Sequence, residues 1–240
     1  MSRLQAYIQI VKRSGFSGLL SWWRKKLFTR FYELWLGINS EQYYSSQALG
    51  YVQGKGKCEC DEYSPIEYES LINALGKLNK YLDGGYQNSV WIDYGCGLGR
   101  AVFVAALFPF KRVIGVDLTA FLIEGAKANL AKARRRLKCQ NVEFICEDAT
   151  KYRVPTDVNV VFLNNPFHGS VFDGMMERLC ESLREKDREI FMLFNCPTVS
   201  ELEEQVKRRG DIEILDRWGD SCNAERLYFL GRLRFKSGCK

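Results

Sequence analysis

Val90-Trp91-Ile92-Asp93-Tyr94-Gly95-Cys96-Gly97-Leu98-Gly99-Arg100 is the stretch on which the fold turns. Val90, Trp91 and Ile92 read as a short buried strand that ends in Asp93 and runs into three glycines. The apolar run Ala101–Leu107 that follows has the character of a buried helix. Glycines at such a turn allow positive φ and let a ligand approach the backbone. The helix start behind them offers free N–H groups to a polar ligand. Dinucleotide folds use G-x-G-x-x-G, which would put the third glycine at position 100. That position is Arg100, and the third glycine comes one residue early. This spacing disfavours a nicotinamide reductase.

The same alternation of strand and helix continues downstream. Arg112–Asp117 reads as a second strand ending in an acid, 22 residues after Gly95. A carboxylate there can accept hydrogen bonds from two ribose hydroxyls, although a helix-capping acid would look the same. A long helix is expected from about Ala120 to Leu137, with Leu122, Ala126, Leu130, Ala133 and Leu137 on one face. Asn141–Cys146 gives a third strand, leading to Glu147-Asp148-Ala149-Thr150. Val158–Leu163 gives a fourth, with Asn164-Asn165-Pro166-Phe167-His168 at its end. Parallel sheets place ligands beyond the carboxyl ends of their strands, so these turns are the candidate site. The bland alternatives are a turn-capping Asp148 and an Asn/Pro turn closing the strand.

Further on, a helix is expected over Val171–Glu185 and a fifth strand over Glu189–Phe194, closed by Asn195-Cys196-Pro197. A charged helix over Val199–Arg209 ends at Gly210, and strands follow at Ile212–Trp218 and Arg226–Leu233. Upstream, Leu71, Leu75, Leu78 and Leu82 mark an amphipathic helix stopped by Asp83-Gly84-Gly85.

Taken together, Asp93-x-Gly95-x-Gly97-x-Gly99 and the acids at 117 and 148 resemble the motifs of the class I S-adenosylmethionine (SAM) methyltransferases. Asn164-Asn165-Pro166-Phe167 is similar to the Asp/Asn-Pro-Pro-Tyr/Phe signature of enzymes that methylate amino or amide nitrogen, with Asn for the first proline. It also resembles the Asn-Asn pair of the non-SET histone lysine methyltransferases. The chain further resembles a group of bacterial methyltransferase-like proteins with Asp-Tyr-Gly-x-Gly-x-Gly-Arg and Asn-Pro-Phe motifs. The resemblance covers about residues 63–233. It implies an α/β fold: a doubly wound, mostly parallel seven-strand sheet with helices on both faces and an antiparallel end.

The resemblance also implies residue roles. SAM would be held by Asp93, Gly95, Cys96, Gly97, Gly99, Asp117, Leu118, Asp148, Ala149 and Asn164. Asp148 would accept the adenine amino group, and Tyr63 and Glu67, in the segment before the first strand, would fold over the cofactor. Those two are equally plain helix-start residues. The catalytic set would be Asn164, Asn165, Pro166, Phe167 and His168, acting by positioning and exclusion of water. The expected reaction is methyl transfer to a nitrogen of a small molecule or a protein side chain. Alternatives are oxygen methylation with His168 as base and a SAM-binding or membrane-associated module without catalysis.

The chain divides into an arm, residues 1–62, a domain, 63–233, which the resemblance covers, and a tail, 234–240. The net charge is +6 over 240 residues. Residues 1–40 carry seven basic side chains against Glu33 alone, leaving 28 basic and 28 acidic over the remaining 200. In this basic helical extension, Leu19, Leu20, Trp22, Trp23, Leu27, Phe28, Phe31, Tyr32, Leu34 and Trp35 interleave with Arg24, Lys25, Lys26 and Arg30. Such a segment can lie on an anionic membrane surface or, less readily, track nucleic-acid phosphates. The alternative is an extension packed on its own domain.

No apolar run approaches the ~20 residues of a membrane span, and the start of the chain lacks a secretory pattern. Nine scattered cysteines suit a reducing cytosol, with peripheral attachment to the inner membrane face as the arm's contribution. Cys96 and Cys146 are expected as small buried hydrophobes. Cys58-Glu59-Cys60-Asp61 has no second ligand pair, so no metal site is expected.

Overall fold

The structure is a computed structural model that describes residues 20, 23–45, 64–198, 200–220 and 225–234. Tyr63, Cys58 and Cys60 lie outside the described residues, as do most of the first 22 positions and 235–240. Residues 23–36 are helical (α1). In chain order follow α2 (Tyr68–Leu78), β1 (Val90–Tyr94), α3 (Arg100–Ala106), β2 (Arg112–Asp117), α4 (Ala120–Ala133), β3 (Val142–Cys146) and β4 (Val160–Leu163). Then come α5 (Gly169–Glu185), β5 (Ile190–Pro197), α6 (Glu201–Arg209), β6 (Ile212–Gly219) and β7 (Arg226–Leu233).

The seven strands form one sheet in the order β3-β2-β1-β4-β5-β7-β6. β1 to β5 pair in parallel, and β7 runs antiparallel between β5 and β6. This is the expected doubly wound, mostly parallel sheet. Strands covered on both faces read as near-continuous apolar runs, and every residue of β1 is buried. Side chains alternate across it. Trp91 packs with α2, α3 and α4 on one face. Ile92 and Tyr94 pack with α5 and α6 on the other. Trp91 stacks on Phe162 of the adjacent β4 at 5.2 Å between ring centroids. The seven residues of α3 are all buried, each apolar side chain of Val or Phe size contributing about 1.5–3 kcal/mol.

Two helices stop short of the expected ends. α2 ends at Leu78, and Leu82 reaches the core from the turns beyond it. After Ala133, Arg134–Arg136 tighten into a 3₁₀ turn. The Gln140 amide donates to the carbonyls of Arg134 and Leu137 there, capping the end. The carboxyl ends of two parallel strands are likewise longer or barer than expected: β5 runs on through Asn195-Cys196-Pro197, and Cys146 is exposed. Cys146 closes the edge strand β3, where neighbouring cover runs out, so it is no core thiol. Cys96 is buried as expected.

The arm shares the core of the domain. Phe28 and Tyr32 of α1 pack against the cluster that holds α2, α3 and α4, and Leu36 is fully buried in it. The attachment centres on Arg100, the first residue of α3, which is 3% exposed. Its Nε donates to Ser40 Oγ at 2.9 Å and its Nη1 to the Ile66 carbonyl at 3.2 Å. Its Nη2 lies 3.5 Å from Glu33 Oε1, and the guanidinium sits over the Tyr68 ring at 5.1 Å. Glu33 also accepts from Tyr68 Oη and from the Ser40 backbone N–H, each at 2.7 Å. Burial, followed by the Glu33 charge, drives the Tyr68 hydroxyl pKa far upward, so it acts as a neutral donor.

Candidate active site

At the carboxyl ends of β1 to β4 lies a cavity of about 280 Å³. Each strand exit contributes to it. Gly95 follows β1, Val116, Asp117 and Leu118 close β2, and Glu147, Asp148, Ala149 and Thr150 follow β3. Pro166 and Phe167 follow β4, and Val171 of α5 completes the wall. The lining is apolar except for the acids and Thr150.

The glycine loop is shaped by its own backbone. Gly95, Gly97 and Gly99 all have positive φ, at 73°, 54° and 89°. Gly95 and Cys96 donate their N–H groups to the Val116 carbonyl, which ties the loop to the end of β2. A Cβ at position 95 would stand 2.5 Å from Cβ of Pro166, so only glycine lets the two turns meet.

Asp117 is 6% exposed. Its Oδ2 accepts from the Gly97 N–H and its Oδ1 from the Thr119 N–H, both at 2.8 Å. Burial raises its pKa, and those two hydrogen bonds pull the other way. The Thr119 hydroxyl makes a further hydrogen bond to this carboxylate. Asp93 lies behind the loop and outside the cavity lining, 2% exposed. Its Oδ2 has no hydrogen-bond partner among the described residues. Burial first, and then the nearby Asp117, push its carboxyl well above the usual range. At β3, Asp148 Oδ1 accepts from the Thr150 N–H and hydroxyl at 2.9 and 2.8 Å. Its Oδ2 stays outside that turn, 3.9 Å from Lys151 Nζ.

The Asn164–Phe167 turn divides this cavity from a second, smaller pocket of about 170 Å³. Pro166 and Phe167 face the first, while Asn164 lines the second with Ser64, Glu67, Asn195, Asp220 and Arg226. Asn164 is fixed at both ends of its carboxamide. The Nδ2 donates to the Ser64 carbonyl at 3.0 Å, and Oδ1 accepts from Arg226 Nη2 at 2.9 Å. The same guanidinium donates to Asn195 Oδ1 at 2.6 Å and to the Asn195 carbonyl at 2.9 Å. Asn195 in turn donates to Asp220 at 3.0 Å. Glu67 accepts from Thr29 of α1 at 3.1 Å.

Asn165 is the only non-glycine with positive φ among the described residues, at 51°. Proline is locked near −65°, which explains why Asn stands where the resembling signature has its first proline. Asn tolerates the left-handed region better than most side chains. Its Oδ1 faces Ser200 Oγ at 3.3 Å.

His168 lines neither cavity. It stands just before the start of α5, with Nδ1 3.5 Å from Glu201 Oε2, in a surface hollow shared with α6. Of the residues expected from sequence, Gly95, Asp117, Leu118, Asp148, Ala149, Pro166 and Phe167 share one cavity. Asn164 and Glu67 share the other, and Cys96, Gly97, Gly99 and Asp93 form the backing. Asn195, Asp220 and Arg226 were not expected. Asn195 read only as the close of a strand, and Arg226 reaches it solely through the β5–β7 pairing. No group of three or more potential metal ligands exists among the described residues.

The family model described as a methyltransferase domain matches residues 86–220, more than half of the chain. An uncharacterized protein of Methanocaldococcus jannaschii is 38% identical over 80 residues, covering 33% of this chain and 32% of that protein. A probable S-adenosylmethionine-dependent methyltransferase of Saccharomyces cerevisiae is 27% identical over 128 residues, 53% of this chain and 42% of that protein. The chain thus spans less than half the length of these curated relatives. A SAM-dependent O-methyltransferase of Thermotoga maritima has the same fold at a TM-score of 0.53, with 15% identity over 73% of this chain and 69% of that one. Magnesium protoporphyrin IX methyltransferase of Synechocystis, with bound SAM, gives 0.52, at 13% identity over 70% and 81%. At such identities the likeness is one of fold. On the family match, the chain belongs to the methyltransferase-domain family.

Proposed function

We propose that the chain is a SAM-dependent methyltransferase whose acceptor atom is a nitrogen, with residues 63–233 as the catalytic unit. The observation that carries the reading is the Asn164–Phe167 turn, standing between an acid-lined cavity and a polar pocket.

The first cavity fits the cofactor by its chemistry. The Asp117 carboxylate at the end of β2 suits ribose hydroxyls, and Asp148 Oδ2 suits the adenine amine. Val116, Leu118, Ala149 and Val171 offer apolar walls for a flat base. When bound, SAM supplies a methyl group on a positively charged sulfur. The chain's own work is orientation. Asn164 Oδ1 has one lone pair engaged by Arg226, and the second can accept an acceptor N–H. Because Ser64 and Arg226 fix the carboxamide, this acceptor is preset rather than found on binding. Pro166 and Phe167, the latter 6% exposed, keep water from the reacting centre.

The experiment has two stages. Calorimetry with S-adenosylhomocysteine (SAH) tests the cavity, and the absence of binding would end the reading. Transfer of labelled methyl from SAM to a panel of amines, amides and hydroxyl compounds then tests the acceptor. An amine or amide hit should lose at least 100-fold in kcat with Asn164→Ala while SAH affinity holds, since positioning terms of this kind are worth several kcal/mol. Methylation confined to hydroxyl compounds would overturn the nitrogen assignment.

A further inference from the structure

The helix over residues 23–36 is apolar on two opposite faces. Its inner face, Phe28, Thr29, Tyr32 and Leu36, belongs to the packed core. On the other side Leu20, Trp23, Leu27, Phe31, Leu34 and Trp35 are between 40% and 69% exposed. Their spacing puts them on one stripe of a 3.6-residue helix. Scattered exposed apolar side chains are ordinary, but a contiguous patch with a polar rim marks a contact surface.

The charges that α1 itself places around the stripe have one sign. Arg24, Lys26 and Arg30 are exposed beside it. Arg24 and Lys26 make ion pairs with Glu69 and Glu41, at exposed positions where such pairs are weak. Glu33, the only acid of the first 40 residues, turns inward onto Arg100 and Tyr68. The outward face therefore carries no acid of its own helix, and residues 1–40, which contain this helix, hold +6 against a balanced remainder. Leucines would gain nothing from nucleic-acid phosphates. Bulky aliphatic and Trp side chains flanked by Arg and Lys are instead the make-up of helices that lie in a lipid interface.

We propose that this outer face of α1 seats the protein on an anionic membrane surface. No described helix is long and apolar enough to cross a membrane, so the contact is peripheral. The Arg100 clamp holds α1 rigidly enough to present the stripe without ordering it on arrival. The proposal goes beyond the reaction above and does not depend on the acceptor.

The test is sedimentation of the full chain with phosphatidylcholine vesicles, with and without added phosphatidylglycerol. Binding is expected only to the anionic vesicles and should fall as salt rises. The double variant Leu27→Asp/Phe31→Asp should lose at least about tenfold in partitioning, with unchanged melting and SAH affinity, because both positions are exposed. Arg30→Gln should lose about fivefold at low salt. Failure of the wild type to bind anionic vesicles would overturn the proposal, as would binding that the double variant leaves intact. A wild-type dimer that the double variant converts to monomer, without vesicle binding, would instead assign the face to a second copy.

Discussion

The two pockets beside the Asn164 turn are built in opposite ways. The larger is assembled from strand exits, each a few consecutive residues whose backbone fixes the geometry: 95, 116–118, 147–150 and 166–167. The smaller is assembled from side chains far apart in sequence, at 64–67, 164, 195, 220 and 226, held by one guanidinium. A site made of local turns repeats wherever the fold repeats, and so suits a ligand that a whole family shares. A site made of distant side chains is particular to its chain, and so suits the choice of acceptor.

Perturbing the first kind should damage structure and ligand binding together. Gly95→Val places a β-branched side chain at φ 73° and drives its Cβ into Pro166. Urea denaturation should show a loss of about 3 kcal/mol, and SAH binding should vanish from calorimetry. Retained SAH affinity would break the comparison at its stronger end.

The second kind should separate the two effects. Arg226→Met leaves Asn164 Oδ1, Asn195 Oδ1 and the Asn195 carbonyl without their donor. A loss of about 1–3 kcal/mol in stability is expected, with SAH affinity within about twofold of wild type. A parallel fall in SAH affinity would show that the pockets work as one.

The smallest effect sharpens the picture of the loop's backing. Asp93 has a folded pKa raised by burial and by Asp117. A carboxyl whose pKa is raised on folding adds nothing adverse below its unfolded value, near 3.8, and costs stability as pH climbs towards the folded pKa. Asp93→Asn removes that cost. Thermal melts of the unliganded protein should show it more stable than wild type at neutral pH. The difference should shrink as pH approaches 4. A variant less stable at every pH would show that the charge is compensated.

Much of the first pocket was legible because its parts are adjacent in sequence. The Asp93–Gly99 loop, the strand-end acids and the Asn-Asn-Pro-Phe turn each announce a strand exit, and the parallel order brings them together. Arg226 was not legible, since its meaning comes from the register Pro197↔Arg226 across an antiparallel pair. Nor was the role of Arg100, which read as the residue that displaced a glycine and as the end of the Asp-Tyr-Gly-x-Gly-x-Gly-Arg motif. Its partners Glu33, Ser40 and Tyr68 are 67, 60 and 32 positions away, and no local pattern links them. His168 shows the converse: adjacency to a turn did not bring its ring into either pocket, because α5 begins there and carries it towards Glu201.

β7 is threaded last yet lies between β5 and β6. The recognisable segment, 86–220, stops before it. Excising that segment would leave two unzipped strand edges in the middle of a sheet, and would strand the Arg100 cation in a greasy interior without Glu33. The span that matches the family is here shorter than the sheet to which it belongs.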